Sequence, residues 1–389
     1  MEQISKRFMN WASILEDNTR EQVAMTSEMP FIYPHVALMP DAHLGKGCAV
    51  GAVLPTKGAI MPAAVGVDIG CGMIALRTQY TVDDIPADRR PLRLAIEAAV
   101  PLSAGKYNKS ISRASAQTRV TLLADKAYVA DFDPASYAEN WGLQLGTLGS
   151  GNHFIEVSFD EEDRVWLFLH SGSRGIGNKI AMHHIKVAQQ QCAKRFIDLP
   201  DKDLAYLVEG EPEFWAYIRQ LRWAQGFALL NREEMMDRVV EAFETWVDGN
   251  VEVEQRINCH HNYTEQEEHF GQKVWLSRKG AINAEKGRKG LIPGSMGTRS
   301  YVVEGLGNRL ALNSSPHGAG REYGRMHAKR TFTKEQLDAS MVGIEWSGSA
   351  EFIDEIPNAY KDIDVVMNDA KDLVQIKHTL RQIVNVKGD

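Results

Sequence analysis

The sequence predicts an α+β fold, arranged as one complex domain over residues 1–389, from three features of its texture. Strand-and-turn chemistry fills much of the first half, a helical stretch occupies the middle, and strand-and-glycine texture returns afterwards. Residues 47–79 join short apolar or β-branched runs, AVGAVLPT and MIALRT, through glycine-rich turns. The run VWLFLH at 165–170 reads as a further strand that enters the turn SGSRGIG. From about Asn178 to Val247 the pattern is mostly helical, with Phe214, Tyr217, Leu221, Ala224 and Ala228 recurring at helical spacing. After Val251 come VWLSRKGAINA, GLIPGSMGTRSYVVEG and SSPHGAG, and a helical segment is expected near 364–383 before the tail NVKGD. No repeat, low-complexity tract or Pro/Gly/Ser-rich linker divides the chain.

Hydrophobic residues make up 44% of the 389, enough for a sizeable core. Lys and Arg number 44 against 51 Asp and Glu, so the net charge of −7 repels a polyanion and any nucleic-acid contact has to be local. Cys48, Cys71, Cys192 and Cys259 form no CxxC pair, which argues against a disulfide framework or a ribbon-type zinc site and fits a reducing compartment. The start, MEQISKRFMNWASILEDNTREQ, has no apolar signal-like region, and Pro62, Gly66, Asp68 and Gly70 interrupt the longest apolar stretch. The expectation is a cytoplasmic protein without membrane partners.

One group of residues has the chemistry of a metal centre. Asp68 and Cys71 share a glycine-rich loop, VDIGCG, on which both side chains can converge. His153 in GSGNHFIE, His170 at the end of VWLFLH and His261 in INCHHNY sit at turns or strand ends, where a scaffold displays functional groups. His183, His184, His260 and His378 read as ordinary structural residues. A mixed carboxylate, thiolate and imidazole set does not name its metal: zinc, iron and manganese all remain open on chemistry alone.

Across nearly its whole length the chain resembles the RtcB-type RNA-splicing ligases. PDAHLGKGCAVGAVLPT, VGVDIGCGM, LGSGNHFIE, LHSGSRGIG, CHHNY, PGSMG, SSPHGAGR, AYKD and the terminal VKG occur in the family's order. The resemblance implies two manganese ions held by Asp68, Cys71, His153, His170 and His261, and a histidine nucleophile, His317, that is guanylylated by GTP. Imidazole suits that task, because its unperturbed pKa of ~6.5 leaves a neutral nucleophile at physiological pH. It also implies a nucleotide pocket containing Asn152, Glu156, Ser295, Ser300, Gly318, Ala319, Gly320, Tyr360 and Lys387. Gly318 and Gly320 would let backbone N–H groups approach phosphates.

Arg174 and Arg325 match positions suited to an RNA terminal phosphate, for which a guanidinium fork is well shaped. Two basic stretches, 278–299 and 321–330, flank His317 and offer the local positive charge that the acidic average lacks. The chain departs from the family in having Gly324 where a serine usually precedes this arginine. His43 is expected to support the site without binding metal, and His43-Leu44-Gly45-Lys46-Gly47 lacks P-loop spacing.

The activity implied is GTP-dependent joining of an RNA 3′-phosphate or 2′,3′-cyclic phosphate end to a 5′-hydroxyl end in tRNA splicing or RNA repair. An archease-like activator is a candidate partner. Two rivals stand beside it: a two-metal phosphodiesterase using the same ligands without GTP, and a catalytically silent RNA-end binding protein.

Overall fold

Alternation along the strands sets the architecture. In Gly72–Thr81, Met73 and Ala75 face one buried layer while Ile74 and Leu76 face another, and in Arg164–Ser171 Trp166 and Phe168 oppose Leu167 and Leu169 in the same way. A sheet with two apolar faces has to be covered on both. In the computed structural model, which describes residues 1–388, it is. The result is the α+β fold expected, with two large sheets packed face to face and helices on their outer sides.

One sheet has six strands, running edge to edge Glu2–Ser5, Phe8–Asn10, Val36–His43, Val50–Thr56, Gln272–Lys279 and Asn262–His269. All neighbours are antiparallel except Phe8–Asn10 against Val36–His43. The other has seven antiparallel strands, in the order Val253–His260, Gly72–Thr81, Arg164–Ser171, Phe154–Phe159, Val374–Lys387, Ser300–Gly305 and Lys289–Ile292. Met39, Val53 and Leu276 meet Met73, Trp166 and Phe168 in the core between them.

The helical middle is two helices, Arg174–Lys194 and Pro212–Val247, separated by a stretch with a short 3-10 turn and the two-residue strand Leu207–Val208. Met235, Met236, Val239 and Phe243 of the longer helix cover the outer face of the seven-stranded sheet. Helices Arg90–Ala99 and Ala114–Val129 went unforeseen. Among the described residues no helix is long and apolar enough to cross a membrane.

The helix expected near 364–383 is a correction. Helix covers only Ile363–Asp369, and Val374–Lys387 is a central strand. Its β-branched Val374, Ile376, Thr379, Ile383, Val384 and Val386 favour that state. Register shifts opposite Val302/Val303 and between Gln382 and Val384 break the two-residue period, which is what hid the strand in the sequence.

The first basic stretch is corrected as well. Arg278 is fully buried: it pairs with Glu267 at 2.5 Å and donates to Tyr263 Oη at 2.9 Å and Ser314 Oγ at 2.8 Å. Lys279 is buried too, donating to the backbone carbonyls of Lys46, Cys48 and Ala63. Arg278 thus ties the six-stranded sheet to Ser314–Pro316, the short strand that leads into His317. Arg278→Met should lower unfolding stability in chemical denaturation by about 3–5 kcal/mol, because it takes the buried guanidinium from Glu267, leaving that carboxylate only His269. Adding Glu267→Gln should restore part of the loss; no recovery would mean that Arg278 acts through packing alone.

Candidate active site

Strand register gathers the chemistry at one end of the two sheets. Gly72 pairs with Ser171 and with His260, Phe154 with His170 and with Lys387, and Glu156 with Asn385. Cys71, His153, His170, His261 and Lys387 therefore fall in one row, though they are far apart in sequence. On the six-stranded side His43 faces Val50, and Ala52 faces Lys279. Between the rows lies a cavity of about 310 Å³.

At its floor two imidazoles meet a thiol, and a third meets one of them. Cys71 Sγ lies 3.4 Å from His153 Nε2 and 3.2 Å from His170 Nε2, and the latter is 2.8 Å from His261 Nε2. Asp68 Oδ2 stands 3.1 Å from His153 Nε2. The Nδ1 atoms point the other way, to Leu148 O at 2.9 Å, Asn152 O at 3.0 Å and Asn262 Oδ1 at 3.2 Å.

Carbonyl oxygens only accept, so the Nδ1 of His170 and of His261 carries the proton and their Nε2 atoms present lone pairs, whereas His153 Nε2 also faces the Asp68 carboxylate, itself an acceptor. His153 Nδ1 lies between Leu148 O at 2.9 Å and the Arg174 guanidinium, whose Nη1 approaches to 3.1 Å. Lone pairs of His170 and His261 at 2.8 Å repel unless something positive lies between them. This is the geometry of ligands around a cation.

Electrostatics agree. Burial, with neighbouring histidines acting in the same sense, holds His170 and His261 well below their ordinary pKa and hence neutral. Burial opposes ionisation of Asp68, but the hydrogen bond and charge of His153, together with Arg174, outweigh it and bring the pKa to about 2. Burial, then the Asp68 charge, raises the Cys71 thiol. Its thiolate needs a cation beside it.

His317 stands over this group, its ring centroid 4.4 Å from that of His261. Its partner is Asp41, a fully buried residue that the sequence reading overlooked. Asp41 Oδ2 accepts from His317 Nδ1 at 2.6 Å, from the His317 backbone N–H at 3.0 Å and from the Gly318 N–H at 3.2 Å. The Gly318 N–H is therefore committed to Asp41 and is not the free phosphate donor expected. Gly320 has φ +77°, and a Cβ there would come within 2.2 Å of Asp41 O, so only glycine lets this loop approach the carboxylate's own backbone.

Asn152, Glu156, Ser295, Gly318, Ala319, Gly320, Tyr360, Lys387 and Arg325 line the cavity together with His317. Ser300 does not: it is buried behind Glu156, with Oγ 3.5 Å from Oε2. Lys387, which by sequence position looks like solvated tail, is buried and paired with Glu355 at 3.0 Å. Glu355 also accepts from Tyr360 Oη at 2.7 Å and Arg321 Nη1 at 3.1 Å, while Arg325 pairs with it and with Asp354. Burial works against its ionisation, but Lys387, Arg325 and Arg321 win and hold Glu355 at about 2. The Arg321 guanidinium lies over the Tyr360 ring, 4.8 Å from its centroid.

Arg174 does not line the cavity; it sits beside His153 and Thr147 under the turn at Gly149. A Cβ on Gly149 would come within 1.9 Å of its Nη2. Gly324 precedes the helix Arg325–Thr331 without a side-chain cap.

Two further residues hold the loops and carried no motif. Asn231 and Arg232, on the long helix, are fully buried. Asn231 bonds Gly146 N, Thr147 O and Gly172 O, and Arg232 bonds Gly70 O, Ser171 O and His260 Nδ1. His260 is thereby structural, as expected, and so is His184, which bonds Gln220. Asn385 Oδ1, on the cavity wall, is buried without a partner among the described residues.

A family model described as tRNA-splicing ligase RtcB matches residues 22–388. The RNA-splicing ligase RtcB of Escherichia coli K12 is 47% identical, over 96% of this chain and 95% of that protein. The tRNA-splicing ligase RtcB of Pyrobaculum aerophilum is 32% identical over 96% and 91%, and that of Nanoarchaeum equitans 30% over 96% and 92%.

Glu156 supplies a test of the cavity's electrostatics. Burial lifts its pKa to about 8 against the opposing pull of Lys387 and Ser300. A carboxyl with a raised folded-state pKa weakens the fold progressively as pH climbs from about 4.5 to about 8 and by a constant amount above. Glu156→Gln should therefore be more stable than the parent at pH 9, by on the order of a few kcal/mol, with the gap closing toward pH 5. Denaturation midpoints at both pH values check it, and a gap that does not change with pH would show Glu156 to be ionised throughout.

Proposed function

The chain belongs to the RtcB family of RNA-splicing ligases, and from that premise we propose that it joins RNA 3′-phosphate ends to 5′-hydroxyl ends using GTP, through guanylylated His317. Residues 1–389 act in this reading as one ligase domain. The observation that carries it is the Asp41–His317 pair. With Nδ1–H held by a buried carboxylate, His317 is fixed in the tautomer whose Nε2 is the nucleophile, and the carboxylate stabilises positive charge as the ring attacks.

The steps follow from the groups present. His317 Nε2 attacks the α-phosphate of GTP and pyrophosphate leaves. The RNA 3′-phosphate then takes GMP from the imidazole, and the 5′-hydroxyl displaces GMP to form the phosphodiester. A 2′,3′-cyclic phosphate is first opened by water. Glu156, Asn385, Lys387 and Tyr360 surround the space for the base, where carboxyl and amide oxygens suit the N–H donors of guanine. Ser295 and Asn152 border it, and Arg325, part-exposed on the rim, suits the RNA terminal phosphate once it exchanges Asp354 for that ligand.

Asp68, Cys71, His153, His170 and His261 would hold two manganese ions, the convergent lone pairs and the raised thiol being what fits them. Bound there, the ions would neutralise phosphate charge and orient the reacting groups. The cytoplasm, with reduced thiols and free GTP, is the matching compartment.

Incubation with radiolabelled GTP and manganese, followed by a denaturing gel, tests the reading. Label should stay on the protein, His317→Ala should abolish it, and Asp41→Asn should slow it at least ~100-fold with metal content intact. An adduct that mass spectrometry maps to Lys46 or Lys387 would sink the histidine mechanism.

Metal analysis gives a second check. Cys71→Ser should lose manganese occupancy, whereas Cys48→Ser and Cys192→Ser should retain it, since those thiols sit apart and bond backbone carbonyls at Ala49 and Tyr206. Equal occupancy in all three would remove Cys71 from the centre.

A further inference from the structure

His43 ends the strand Val36–His43 and lines the same cavity as His317, yet neither the metal group nor the nucleotide contacts use it. Its Nδ1 lies 3.0 Å from Asp41 O, an acceptor, so Nδ1 carries the proton and Nε2 the lone pair. Nε2 has no partner among the described residues and is not sealed from solvent. Burial, with His317 and Lys361 acting in the same direction, brings the ring's pKa down to about 4 against the pull of Asp41, which keeps Nε2 available as an acceptor. One residue thus anchors two imidazoles: Asp41 holds His317 with its carboxylate and His43 with its backbone carbonyl.

The chemistry says which step this acceptor serves. Imidazole attacking GTP has no proton to shed on Nε2, and the ionised 3′-phosphate attacking His317–GMP has none either. A proton must leave only where a hydroxylic nucleophile attacks, that is, the 5′-hydroxyl in sealing or water in opening a cyclic end. Position agrees. Glu156, Asn385 and Lys387 come from the seven-stranded sheet, while His43, Lys46 and Val50 come from the six-stranded side. An in-line displacement needs the entering oxygen opposite the departing guanylate, and the two walls offer those two sides.

Resting on the ligase reading above, we propose that His43 is a catalytic base that takes the 5′-hydroxyl proton during sealing. The 5′-oxygen forms its bond to the 3′-phosphorus as the bond from that phosphorus to the bridging oxygen of GMP breaks. GMP leaves with the electron pair, and the proton passes from the hydroxyl to His43 Nε2 and then to solvent. A weakly basic imidazole is adequate, because the hydroxyl becomes acidic as the new O–P bond forms.

The test compares two half-reactions in full-length protein loaded with manganese: guanylylation of His317 by GTP, and sealing of RNA already carrying the 3′-linked GMP pyrophosphate to 5′-hydroxyl RNA. His43→Ala should depress sealing at least ~100-fold more than guanylylation, the range of a general base. Added imidazole should restore sealing by His43→Ala several-fold. His43→Gln, which fills the space and can hydrogen-bond, should be equally slow and should not respond to imidazole. Parallel loss of both half-reactions, or His43→Ala sealing that imidazole leaves unchanged, would overturn the base and leave His43 as support for Asp41. Sealing by both variants at the parent rate would also overturn it. A parent protein that seals no preactivated RNA would instead take down the ligase reading, and this proposal with it.

Discussion

Five imidazoles at this site share one constraint: each has its Nδ1 hydrogen-bonded to an oxygen. For His43, His153 and His170 the oxygen is a backbone carbonyl, for His261 the amide of Asn262, and for His317 the Asp41 carboxylate. A ring so tied has its orientation settled before any ligand arrives, and it turns Nε2 toward the site in every case. Two of these atoms converge on Cys71, that of His261 meets the Nε2 of His170, and two border the cavity above them. The proposed metal binding and nucleophilic attack would both need an Nε2 lone pair, and one pattern, an oxygen set against Nδ1, serves both.

The oxygens hold that arrangement only because the strands and loops carrying them are themselves fixed. Leu148 and Asn152 lie in a turn fastened through Thr147 to Asn231, while Gly70 and Ser171, which flank Cys71 and His170, are fastened to Arg232. Both anchors stand on one turn of the long helix, buried beneath the site. Buried polar groups are costly unless satisfied, and these meet several loop carbonyls at once. Helix, seven-stranded sheet and metal group are therefore one mechanical unit, and Arg278 plays the equivalent part beneath His317.

What the sequence disclosed follows the same division. Strands with two apolar faces, the long helix and residues in glycine-rich motifs were legible, and resemblance pointed to His317, the proposed metal ligands and the proposed nucleotide wall, most of which line one cavity. Asp41 was not, although it lies inside the quoted PDAHLGKG, because nothing in a local pattern shows which histidine a buried carboxylate will meet 276 residues away. Asn231, Arg232 and Asn385 were missed for the same reason: a polar residue in an amphipathic helix or a bulged strand looks like solvent-facing surface until its partners are in place. The bulges in Val374–Lys387 hid a whole strand, and with it the reason Lys387 is wall and not tail. Counting charge along the chain failed at Arg278 and Lys279, since sequence shows the sign of a side chain but not its partner.

That failure bears on how an acidic protein attracts polyanions. Arg321, Arg325, Lys329 and Lys387 near the cavity share Asp354 and Glu355, so about half of their charge is offset inside the protein. The metal group has a different balance. It offers one carboxylate and one thiol as anionic donors, with three neutral imidazoles, so two divalent cations there would leave an excess of about two positive charges in a low-dielectric floor. In the proposed ligase, attraction for a triphosphate or an RNA end would then come from the loaded centre as well as from the cations at the rim. The carboxylates around Arg325 hold its guanidinium in a defined place and would compete with an arriving anion, so in the proposed reaction a phosphate would gain this contact only when deep enough to feel the metal charge as well.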